Sequence, residues 1–141
     1  MKEWDEIKDK VKESIQDKEM AKSILKMIDV RIDAINLLKK EKHTSIIVEG
    51  YYEIIKEAIT ALMAIDGFKT TSHEALVSYL KKFYNEFGEY EIIFIDDLRK
   101  IRHKIAYKGF FIKQDYLNRN SLEIKNIISK LKEIIKKKLN D

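Results

Sequence analysis

The chain contains no proline and only four glycines in 141 residues. Sandwiches and barrels reverse direction every few residues and draw on both residue types to do so. So few turn formers leave long, uninterrupted helices, and the expected class is all-α, an up-and-down bundle of five to six helices. Cysteine is also absent, which excludes disulfides, zinc–cysteine sites, iron–sulfur clusters and thiol nucleophiles. One domain over residues 1–141 is expected, since a chain near 150 residues buries about 68–70% of its unfolded surface around one core. The opening MKEWDEIKDK is charged, and no apolar run approaches the roughly 18 residues of a membrane span. The expectation is a cytoplasmic protein with no cleavable signal and no membrane segment.

Apolar spacing lays out the helices. Trp4, Ile7, Val11 and Ile15 make a narrow stripe, so residues 1–16 read as a peripheral N-terminal helix. Ile24, Leu25, Ile28, Ile32, Ile35 and Leu38 predict a long amphipathic helix from about Asp17 to Lys40. Between Thr44 and Ile65 the apolar residues occupy more than one side, as in a helix at the centre of a bundle. Asp66-Gly67 ends that helix. Thr71 and Glu74 read as a capping box for the next, whose inner face is Leu76, Tyr79, Leu80, Phe83 and Phe87, with Gly88 closing it. A fifth helix runs from about Glu89 to Lys108, ahead of Gly109. An irregular piece then spans Phe110 to Arg119, and a second box at Asn120 and Glu123 opens a last helix carrying Ile124, Ile127, Ile128, Leu131, Ile134 and Ile135.

Only the fifth helix departs from an ordinary bundle pattern. At 100° per residue, Phe94, Leu98, Ile101 and Ile105 share one narrow side, which is assigned to the core. Beside it lie Ile92, Ile95, Arg99, Arg102, His103 and Ala106, a mixture of apolar groups, guanidinium groups and imidazole. Two apolar faces on one helix point to a homodimer, although a neighbouring helix of the same chain covers such a face equally well. Arg102 offers a fixed fork of donors to a phosphate, and Arg99 precedes it on the same side, so the two form a candidate anion site. His103, one turn beyond Arg99, is a candidate proton carrier, because an unperturbed imidazole titrates at about pH 6.5. Tyr107 lies one further turn along. The competing reading pairs both arginines with Asp96, Glu89 or a neighbouring helix and leaves His103 solvated.

Three blocks carry a resemblance: AKSILKMIDVRIDAINLLKK, GYYEIIKEAITALMAIDGFKTTSHEALVSYL and LRKIRHKIAYKG. From Asp17 to Lys108 the chain resembles the HEPN family, named for nucleotide binding in higher eukaryotes and prokaryotes. The blocks look like the family's first helix, its aromatic second helix with the following Gly turn and Thr/Ser-His element, and its Arg-Asn-x-x-x-His signature. The resemblance implies an all-α bundle that dimerises with the signature helices facing each other. It also implies a metal-independent ribonuclease of a toxin–antitoxin or defence system, a partner of a minimal nucleotidyltransferase, or a nucleotide-binding module that does not cut RNA. It calls for no cofactor and no metal. Aligned on the signature, Arg102 takes the arginine position, His103 the usual Asn and Tyr107 the usual His. A phenol, with a reference pKa of about 10, is a poorer base at neutral pH than imidazole. A second alignment, Arg99 to His103, restores an Arg and a His on one face at a shorter interval. The resulting expectation is a dimeric HEPN-like module that binds RNA or a nucleotide phosphate at a degenerate site. Arg102, His103 and Tyr107 are its candidate catalytic residues, and Arg99 and Arg102 its phosphate ligands.

Elsewhere the readings are structural. His43 and His73 stand at helix junctions without a metal-ligand spacing. Glu49, Glu53 and Glu57 share a face better explained by lysine pairing than by catalysis. Tyr51, Tyr52, Tyr79, Phe83 and Tyr84 have the spacing of core aromatics rather than of a base-stacking platform. Net charge is +4 with both signs interspersed, yet Lys125, Lys130, Lys132 and Lys136 to Lys138 on the last helix, with Arg99, Lys100, Arg102, Lys104 and Lys108 on the fifth, are able to build a phosphate-attracting surface.

Overall fold

A long helix, α3 (Lys40–Asp66), forms the axis of the protein in a computed structural model that describes residues 1–141. Its apolar residues surround it, and Ile54, Ile55, Ala58 and Leu62 are wholly buried. α2 (Lys18–Asn36) and α6 (Gln114–Leu139) pack along it on one flank, and α4 (His73–Phe83) and α5 (Glu89–Lys108) complete the bundle. A single core of 31 buried residues joins these five helices. At about 25 cal/mol per Å² of apolar surface, burial on this scale is the main favourable contribution to folding. The class expected from the sequence, an all-α helical bundle, is the class observed. No helix is long and apolar enough to cross a membrane.

Local chemistry sets the ends of the helices. Asp17 caps α2 by accepting the Met20 amide at 2.9 Å. At the start of α3, His43 Nδ1 accepts the Lys39 amide at 3.0 Å, and the helix kinks at His43 itself. Gly67 stops α3 at φ +90°, where a Cβ would lie 3.1 Å from the Ser14 carbonyl oxygen, so this position needs glycine for both conformation and space. The Ser72 hydroxyl, not Thr71, accepts the Ala75 amide at 3.2 Å and opens α4. Gly88 starts α5 rather than closing α4, its amide donating to Glu91 Oε1 at 3.0 Å.

Residues 1–16 do not form the helix that their apolar spacing predicts. α1 covers only Trp4–Ile7, a 3-10 turn follows at Lys8–Lys10, and the chain is then extended. There β1 (Lys12–Glu13) pairs antiparallel with β2 (Phe68–Lys69). The Ser14 amide donates to the Gly67 carbonyl and the Asp17 amide to that of Ala64, both at 2.9 Å. The last carbonyls of a helix lack intrahelical donors, and an extended strap supplies them where residues beyond the first turn of a helix would have their amides already engaged. Trp4 still packs edge-on against Tyr79 and Phe83, while Ile15 is 90% exposed.

Two further expectations change. α6 begins at Gln114, so most of the piece expected to be irregular is helical. Asn120 does not cap it; its side-chain amide donates back to the Tyr116 carbonyl at 2.8 Å. In α5 the buried apolar residues are Ile92, Ile95 and Leu98, whereas Phe94, Ile101 and Ile105 sit at the margin of the core. The flank that suggested a second subunit is therefore covered, at Ile92 and Ile95, by the chain's own helices.

Candidate functional site

α5 divides at Leu98. Every buried residue of the helix lies at or before it, and the turns after it carry Arg102, His103, Ala106 and Tyr107 to the edge of the bundle. Gly109, at φ +62°, ends the helix there. α5 runs antiparallel to α3, and its end comes to the start of α3, where the Ile112 amide donates to the Ser45 hydroxyl at 2.8 Å.

Arg99 behaves as the competing reading expected. Its Nε donates to Asp96 Oδ1 at 2.9 Å, and a terminal nitrogen lies 4.0 Å from Glu74 on α4. Asp96 is 4% exposed, and a carboxylate so buried is stable only with such partners; Lys100 adds a second cation at 3.4 Å. Arg102 differs. Of the four arginines, Arg31 reaches Glu57, Arg99 reaches Asp96 and Arg119 reaches Asp115, whereas Arg102 has no carboxylate partner. Its Nε is shielded from solvent without a hydrogen-bond acceptor, a feature shared only with the Nε of Arg31. The Arg102 guanidinium carbon lies 5.8 Å from the centre of the Tyr107 ring, at the outer limit of a cation–π contact. The His103 and Tyr107 rings are 4.7 Å apart, and Tyr107 is 69% exposed. Arg102, His103 and Tyr107 thus come together, with Tyr107 bridging the angle that separates the other two around the helix.

Spacing along the sequence missed a second layer. Tyr52 on α3 and His73 at the start of α4 are joined by a 3.0 Å contact between the phenol oxygen and Nδ1, with their rings stacked at 24°. Tyr52 is 2% exposed. Burial pushes its pKa up to about 12 against the opposing pull of Arg99 and Arg102. His73 is held below the usual imidazole value, first by burial and then by the charges of Lys56 and Arg102, with Glu53 opposing and Arg99 reinforcing. α3, α4 and α5 meet here: Tyr52 touches His73, and Glu74, the next residue of α4, lies 4.0 Å from Arg99, one turn before Arg102 on α5. The signal that would have found it is a Ser-His pair opening a helix in the company of an aromatic central helix.

The other candidates resolve into structure. Glu53 pairs with Lys56 at 2.7 Å and Glu57 with Arg31 at 3.8 Å. Tyr51, Tyr79 and Tyr84 are buried, so none offers a ring face to a base. Lys130, Lys132 and Lys138 are matched by Glu91, Asp29 and Asp66 within 2.8 Å, which dilutes the basic field expected of the last helix. The largest cleft, about 500 Å³, lies away from Arg102 at the other end of α3, and its floor is Asp66 with Tyr79, Tyr84 and Lys138. Asp66 Oδ2 accepts both phenols, at 2.7 and 2.5 Å, and Oδ1 accepts Lys138 at 2.8 Å. No cluster of three or more histidine or acidic side chains is placed to hold a metal ion. No family model, curated protein or solved structure matches this chain.

Proposed function

We propose that this protein binds RNA or a nucleotide phosphate through Arg102, as a HEPN-like module that pairs with a second copy of itself. One observation carries the reading: Arg102 is the single arginine without a carboxylate, in a chain that pairs its other three. A guanidinium that the fold leaves unmatched keeps its donor fork for an anion. His103 and Tyr107 flank it, and their exposure suits contact with a large ligand such as RNA. Ile92 and Ile95 are covered by the chain's own helices and give that pairing no support. Support comes instead from the exposed Tyr107, Phe110 and Phe111, which continue past the end of α5 and form the kind of aromatic surface a partner covers.

A metal-independent endoribonuclease is the second reading, favoured by the contact of His103 with Tyr107 beside Arg102. A structural partner of a nucleotidyltransferase or of an antitoxin is the third. Incubating a mixed RNA pool in EDTA with wild type, Arg102→Ala, His103→Ala and Tyr107→Phe separates them. The binding reading predicts RNA retention by wild type, lost in Arg102→Ala, with no cleavage products. Cleavage lost in the Arg102 and His103 variants would replace it with the nuclease reading, and failure to retain RNA would leave the partner reading.

A further inference from the structure

We infer that His73, held by Tyr52, is a second ligand of the anion bound at Arg102, and that it donates a hydrogen bond from Nε2 to a phosphate oxygen. This inference rests on the reading of Arg102 as the phosphate anchor. The Tyr52 hydroxyl is buried and makes one hydrogen bond, to His73 Nδ1. A buried phenol that only accepted there would leave its own proton without a partner, which costs about 1–3 kcal/mol. Tyr52 therefore donates, Nδ1 accepts, and a neutral imidazole must carry its proton on Nε2. Burial of the phenol keeps that proton in place at neutral pH.

Nothing in the protein accepts from Nε2. The only side-chain hydrogen bond of His73 is the one to Tyr52, and the ring is partly exposed. α5 meets α4 next to His73, where a terminal nitrogen of Arg99 lies 4.0 Å from Glu74 and Arg102 follows one turn along the same side; burial first, and then the charges of Lys56 and Arg102, hold the imidazole below its usual pKa. A neutral N–H beside an unmatched guanidinium suits a phosphate mono- or diester, which offers several acceptor oxygens to separate donors. His103 cannot fill this place, because it lies on the exposed side with Tyr107. Tyr52 acts through His73 and is a positioning residue.

The test is nitrogen NMR of the full chain at pH 7.5, titrated with inorganic phosphate. Before phosphate, His73 is expected as the Nε2–H tautomer. On addition, His73 Nε2 and Arg102 Nε shift together with one dissociation constant. Movement of Arg102 without His73 would overturn the inference and leave the anchor standing; movement of neither would overturn both. Tyr52→Phe should convert His73 to a mixture of tautomers, a change that lost packing alone does not produce, and an unchanged tautomer would also overturn the inference. His73→Ala should weaken phosphate binding about tenfold, with partial recovery in His73→Gln, which keeps an N–H donor; equal affinity in His73→Ala would contradict the assignment.

Discussion

Asp66 and Arg102 mark two charged regions at different levels of α3, and the fold treats them in opposite ways. At Asp66 the carboxylate meets Tyr79, Tyr84 and Lys138, so its charge and both phenols are satisfied from within. At the level of Tyr52, about 21 Å earlier along α3, Arg102 has no anion, while Tyr52 and His73 have only each other. The first arrangement locks the ends of three helices together. The second leaves donors unspent at the edge of the bundle, and these are the donors on which the proposed phosphate site draws.

Breaking the closed region should have the largest effect. Asp66→Ala strands two buried phenols and a lysine, and a loss of about 3 kcal/mol is expected, seen as a fall in Tm of roughly 10 °C. A loss below about 1 kcal/mol would mean that the cluster is decoration. At the open region Arg102→Ala should change stability by no more than about 0.5 kcal/mol in either direction, because no ion pair is lost. A drop comparable to that of Asp66→Ala would erase the contrast.

The smallest effect concerns pH. The folded pKa of His73 lies below its unfolded value of about 6.5. Between those two values the unfolded chain binds the extra proton, so stability is full above about pH 6.5 and falls as pH is lowered toward the folded value. Burial is the main cause of that shift, Lys56, Arg102 and Arg99 reinforce it, and Glu53 opposes it. Tm measured from pH 7.5 to 5 should decline less steeply in His73→Gln than in wild type. Parallel curves would show that His73 is not held neutral.

Much of the fold was legible because its signals are local. Gly109 ends α5 as read, and the apolar spacing of Ile24 to Ile35 marks α2, whereas Gly88, read as the end of α4, opens α5 instead. The N-terminal strap was not legible, since Val11 and Ile15 happen to fall at helical spacing while the force that extends the chain comes from the carbonyls of Ala64 and Gly67. The start of α6 was hidden because Lys113 caps it without a side-chain bond. Arg102, His103 and Tyr107 could be named together because they share one helix. Tyr52 and His73 could not, being 21 residues apart and joined only by the packing of α4 on α3. The sequence also could not distinguish Arg99 from Arg102, because that difference depends on Glu74 reaching across from α4 and on the depth of Asp96.

The most direct test of the central claim sets Arg102→Ala against Arg119→Ala by fluorescence anisotropy with a labelled mixed-sequence single-stranded RNA at low salt. Each variant removes one positive charge, but Arg119 is an exposed residue paired with Asp115 at 3.1 Å. If Arg102 is the unmatched anchor, its loss weakens binding at least about tenfold, or ~1.4 kcal/mol, while Arg119→Ala stays within about twofold of wild type. Equal weakening by the two variants would mean that RNA responds only to net charge, and would contradict the assignment of Arg102 as the anion site.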